Sequence, residues 1–178
     1  MSGFFWLMKR HIYVRPDNEP MQALRAIGTN AIPFLLKWVG TENKPRLMTL
    51  SLQLRRLPKF WGRDAIVNWL GQRAFSPIST RTRGLSGFQI LGLEGASAVP
   101  ALTTIARDRA KPHARYCALR SLAFLGHEGV KPVLDTFLDR NEPADVRLVA
   151  ADALRFMAYL GLDVAPAISA SDHIPERN

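Results

Sequence analysis

Apolar positions recur at three- and four-residue spacing in short runs along this chain, and glycine closes run after run. Residues 18–28, NEPMQALRAIG, predict a short helix. Ala23, Leu24 and Ile27 share a face, Pro20 sits near the start where a missing N–H costs nothing, and Gly28 closes the end. Thr29 and Asn30 lead into AIPFLLKWVG at 31–40, a run apolar almost all round and therefore suited to the interior. PRLMTLSLQLRRL at 45–57 has the length and spacing of a third helix, ended by Pro58 and followed by a bend at Gly62. RDAIVNWLGQRAF at 63–75 predicts another amphipathic helix, and SPIST at 76–80 predicts a loop before the next one.

From Thr80 onward the pattern repeats. With Arg81, Arg115 and Arg147 aligned, small or apolar residues fall three, four, six, seven and ten positions later. For Arg115 these are Ala118, Leu119, Ser121, Leu122 and Leu125. For Arg147 they are Ala150, Ala151, Ala153, Leu154 and Met157, and for Arg81 they are Gly84, Leu85, Gly87, Phe88 and Leu91. The arginines are spaced by 34 and 32 residues, which is one helix pair per repeat. Gly92 and Gly126 follow their arginines by eleven positions, whereas the last unit has Ala158 there and Gly161 a turn later, so its first helix should be about a turn longer. Pro112 and Pro143 should open first helices, and Pro132 and Pro166 should fall in the first turns of second helices. No sustained alternation suggests a strand. The pattern predicts an all-α, right-handed α-solenoid of nine to eleven helices in four to five units. One domain over 1–170 would carry an irregular basic segment at 41–79 and end in a polar tail at 171–178.

The phrases DVRLVAADALRFMAYLG at 145–161 and ARYCALRSLAFLG followed by GVKPVLDTFL resemble HEAT repeats, closest to the HEAT-like type first associated with phycobilisome lyases and common in bacterial proteins. EPMQALRAIGTNAIPFLLKWV also resembles a first unit of that group. The resemblance covers 17–40 and 80–170. It implies a non-catalytic scaffold that binds another macromolecule, often along the face lined by second helices.

Composition agrees with a packed domain: 178 residues, 47% hydrophobic and 22% charged. The single cysteine, Cys117, excludes an intrachain disulfide and a cysteine-built zinc site, and fits a cytoplasmic setting. The apolar run Phe4 to Met8 is too short to span a bilayer, and its charges follow it, unlike those of a signal peptide. A short first helix is the plainer reading of that stretch.

Charge changes the picture most. Residues 37–83 carry ten Lys/Arg against Glu42 and Asp64, so this stretch holds +8 of the net +9. Within it, Arg55, Arg56, Lys59, Arg63, Arg73, Arg81 and Arg83 are interleaved with Phe60, Trp61, Trp69 and Phe75. Cations attract phosphates and aromatics stack on bases, so the mixture suits nucleic acid, and it suits an acidic protein or an anionic membrane equally. The plainer reading has the tryptophans plugging irregular packing and the arginines solvating the surface. We carry Arg55, Arg56, Lys59, Trp61, Arg63, Trp69, Arg73, Arg81 and Arg83 forward as a candidate patch for an anionic partner.

Reaction chemistry is sparse. His11, His113, His127 and His173 have no metal-ligand spacing, and no cofactor motif occurs. Asp135 and Asp139 lie four apart beside Lys131 and Arg140, which reads as a solvated, charge-balanced face. Some HEAT-like solenoids are DNA glycosylases that use aromatics and an aspartate, and Trp61, Asp64 and Trp69 match such a set only loosely. Another protein is the expected partner, with nucleic acid as the alternative and membrane disfavoured. A solenoid end without a polar cap also predicts self-association there or a tail folded over it.

Overall fold

The computed structural model describes residues 19–42, 45–56 and 63–164. Among these are eight α-helices and no strand: α1 Glu19–Ile27, α2 Ile32–Val39, α3 Pro45–Arg56, α4 Arg63–Leu91, α5 Val99–Arg107, α6 Pro112–Leu122, α7 His127–Leu138 and α8 Ala144–Tyr159. The molecule is an all-α solenoid. The opening segment around Phe4–Met8, the residues Phe60 and Trp61, and the tail at 171–178 lie outside the described residues.

Helix pairs form because each run can bury only one face and must turn back to cover it. Gly28, Gly92 and Gly126 make that turn and Gly161 ends α8 in the same region, with φ of 58°, 52°, 75° and 80° in chain order. A positive φ costs glycine nothing sterically, so the chain reverses without a long loop. The first two joints tighten into 3-10 turns, Gly28–Ala31 and Gly92–Ala98. First helices α1, α4, α6 and α8 pack on one another in order, and α2, α5 and α7 form the second layer.

The face read from the three arginines is the core. Leu119, Leu122 and Leu125 of one unit, Phe88 and Leu91 of the preceding one and Met157 of the next all belong to one buried cluster. Small residues allow the close approach. A Cβ at Gly84 would stand 2.9 Å from Val39 Cγ2 and 3.0 Å from the Val39 nitrogen, so only hydrogen fits where α4 crosses α2. As its displaced glycine suggests, α8 has 16 residues against 11 in α6.

Three expectations need correction. SPIST is not a loop: α4 runs for 29 residues from Arg63 to Leu91, straight through Pro77. Proline inside a helix forfeits one hydrogen bond and costs about 3 kcal/mol. Packing anchors both sides of the break. Val67 and Leu70 are buried in the N-terminal half, while Gly84, Phe88 and Leu91 are buried in the C-terminal half, where α4 meets α2 and α6. Leu70 and Phe88 stand about five turns apart on one face, and the proline and polar residues between them make the sequence read as two helices.

The second correction concerns α7. It starts at His127, so Pro132 lies inside the helix and not in its first turn. The turn at Gly126 is abrupt enough for the helix to begin at the next residue. Third, Asp139 caps the end of α7 by accepting the Asn141 N–H at 2.9 Å, and does not share a helix face with Asp135.

Candidate interaction surfaces

Sequence spacing marked Arg81 and Arg115 as register points, and the structure buries both of them, at 5% and 3% exposure. Arg81 Nη1 donates to the Thr41 carbonyl at 2.9 Å, just past the end of α2. Arg115 Nε donates to the Ala106 carbonyl at 2.6 Å, in the last turn of α5. Each guanidinium therefore satisfies carbonyls that the end of a second helix leaves open, and its positive charge suits the negative end of the helix dipole. Arg81 belongs to the joint between units and is not part of an exposed patch, which corrects its place among the candidates.

The other patch candidates divide. Arg55 and Arg56 are exposed on the last turn of α3. Arg63 opens α4 and is ion-paired with Asp64 at 2.7 Å, so part of its charge is already matched. Trp69 is 53% exposed, and the Arg73 guanidinium lies over its ring, 4.5 Å from the centroid. That pair sits one turn apart on α4, where a cation on an exposed aromatic face contributes about 0.5–1 kcal/mol. Arg83 is exposed further along the same helix. Lys59 and Trp61 lie outside the described residues. Arg55, Arg56, Arg73 and Arg83 are thus exposed cations on α3 and α4, and of these Arg73 lies against a tryptophan that fills no core.

A second exposed feature escaped the sequence reading. AIPFLLKWVG looked apolar all round, yet Ala31, Ile32, Leu35 and Val39 are the buried positions and Leu36 packs against them in part. Phe34 is 65% exposed and Trp38 is 38% exposed, one turn apart on the outer face of α2. The period was legible: positions 32, 35 and 39 mark one face, and 34 and 38 mark another.

The remaining candidate chemistry has structural partners. Burial holds the Cys117 thiol above its ordinary range, which disfavours the thiolate. Tyr116 on α6 donates a short hydrogen bond to Asp145 on α8, which holds the Asp145 carboxyl below the usual range. Asp135 sits near Lys131 at 3.3 Å and Arg107 at 4.0 Å on an exposed face. Among the described residues no group of three His, Cys, Asp or Glu could hold a metal, and no helix is long and apolar enough to cross a membrane.

No curated protein and no solved structure matches the chain. The family model for HEAT repeats matches residues 47–155, more than half of the chain. That match covers most of the middle segment where the sequence phrase was least regular, and there α3 packs against α4. The chain belongs to the HEAT-repeat family.

Proposed function

We propose that this protein is a non-catalytic scaffold that binds another protein through the outer face of its second helices, starting at α2. The observation that carries this reading is the exposed pair Phe34 and Trp38, with Lys37 beside them. Large aromatics at the surface lose favourable burial, and interface hot spots are rich in tryptophan and arginine. HEAT repeats commonly serve as interaction scaffolds, and a face presented by successive helices suits an extended partner. The Trp69–Arg73 pair with Arg55, Arg56 and Arg83 provides a second, cationic contact area that suits an acidic stretch of the same partner.

The nucleic-acid alternative rests on those same cations. It is weakened by the burial of Arg81, by the pairing of Arg63 with Asp64, and by the stacking of Arg73 over the ring a base would need. Binding to DNA, RNA and heparin measured across a salt series separates the two. A steep loss of affinity between about 50 and 200 mM salt identifies a phosphate-binding surface, and a flat or absent response leaves a protein partner.

A further inference from the structure

The first half of α4 stands ahead of the register of the units. Arg115 follows the start of α6 at Pro112 by three residues, so the same register places the start of α4 at Ile78. The helix begins instead at Arg63, which adds about 22 Å ahead of the aligned part. Val67 and Leu70 are buried in this extension, yet they stand outside the cluster that joins the units. Beside them Ile66, Trp69 and Arg73 follow one another at i, i+3 and i+7, the spacing of a coiled-coil seam. All three are exposed, Ile66 at 45% and Trp69 at 53%. Among the described residues no carboxylate pairs with Arg73, nor with Arg55 or Arg56 on α3.

We propose that this stripe receives an acidic amphipathic helix of a partner protein, with apolar side chains on Ile66 and Trp69 and a carboxylate on Arg73. This rests on the scaffold reading and names the chemistry of its second contact area. The stripe is narrow, since the exposed residues next to it, Asn68 and Gln72, are polar. An interfacial membrane helix needs an apolar side along its whole length, whereas a partner helix needs only such a seam. Phosphates would leave Ile66 in water, and Arg73 already stacks on the Trp69 ring that a base would use. A second copy would bring another stretch of +8 to the same seam, so charge opposes self-association there. Charge favours carboxylates instead. A guanidinium stacked by its face keeps its N–H edge for an acidic group, so Arg73 can hold Trp69 and a partner's carboxylate together.

Binding of designed helical peptides to the full chain, read by fluorescence anisotropy, tests this. One peptide of about three heptads carries leucine along its seam and glutamate beside it, and its twin carries lysine in place of glutamate. The expected result is that the glutamate peptide binds and the lysine peptide does not. Trp69→Ala should weaken binding about tenfold or more, and Arg73→Glu should reverse the preference in favour of the lysine peptide. Should Trp69→Ala disturb the fold, the reversal by Arg73→Glu, a change of surface charge, carries the test. Phe34→Ala/Trp38→Ala should bind the glutamate peptide as the wild type does. No binding of the glutamate peptide, or binding indifferent to both Trp69→Ala and Arg73→Glu, overturns the proposal. Binding lost only in Phe34→Ala/Trp38→Ala also overturns it, and leaves the scaffold reading standing with the helix on α2. A mass that grows with protein concentration and returns to the monomer in Trp69→Ala overturns it in favour of a second copy. Retention on phosphatidylserine vesicles without peptide binding overturns it in favour of a membrane.

Discussion

Arg115 Nη2 lies 2.6 Å from Glu142 Oε2, and both side chains are almost fully buried, at 3% and 9% exposure. The same guanidinium bonds the Ala106 carbonyl, so one side chain joins the end of α5, the body of α6 and the loop after α7. Removing one partner of a buried pair leaves an uncompensated charge, whereas replacing both with apolar groups does not. Glu142→Ala is therefore expected to cost about 3–5 kcal/mol. The double variant Arg115→Met/Glu142→Leu should recover much of that loss. Urea unfolding of the three proteins measures both quantities.

Gly84 and Gly71 lie on the same helix and should respond oppositely to alanine. At Gly84 the new methyl would press on Val39, including its backbone nitrogen at 3.0 Å, and should destabilise by about 1–3 kcal/mol. At Gly71 no atom of the described residues lies within 4 Å, so Gly71→Ala should stabilise the helix by about 0.5–1 kcal/mol. Shifts of melting temperature in opposite directions check the pair.

Leu122 is fully buried between units. Leu122→Ala should cost about 2–5 kcal/mol through the cavity it leaves, and Leu122→Asp should cost more, because its charge has no partner there. Circular dichroism melting of both variants orders them. An unchanged melting point for Leu122→Asp would mean that the repeat register is wrong.

The repeat register was legible because α-helix period and unit length are written in the apolar residues themselves. Arg81, Arg115 and Arg147 mark it, and most of the columns that follow them are buried, Leu85 and Ala151 being half-buried. What the arginines do was not legible, since a cation inside a joint and one on the surface look alike in sequence. Only the open carbonyls of Thr41 and Ala106 distinguish them. The length of α4 was hidden for a related reason. Pro77 signals a break locally, and contacts with α2, α3 and α6, distant in the chain, override that signal. Of the candidate patch, sequence gave the residue types, whereas exposure at Arg55, Arg56, Arg73 and Arg83, pairing at Arg63 and burial at Arg81 required the fold.

Stability should fall on the acid side. Asp145 is held low by the hydrogen bond from Tyr116, and Asp108 by the hydrogen bond from Lys111 and by the Ala110 N–H. A carboxyl whose folded value is depressed contributes stability that is fully present above its unfolded value, near 3.8, and is lost as pH falls through the folded value. The decline should therefore begin below about pH 4 and continue downward. Tyr116→Phe should flatten part of that slope while changing the melting point near neutrality little, since the pair is exposed. Melting temperatures from pH 7 to pH 2 for both proteins check this.

The most direct test of the scaffold reading compares partner capture by the wild type and by Phe34→Ala/Trp38→Ala. Phe34 is 65% and Trp38 38% exposed, so the variant should stay folded, with a melting point lowered by loss of the buried part of Trp38. The predicted result is that a protein partner retained by the wild type binds the variant about thirtyfold more weakly, the effect of losing one hot spot. Capture unchanged by the double substitution, or capture of nucleic acid alone that vanishes as salt rises, would contradict it.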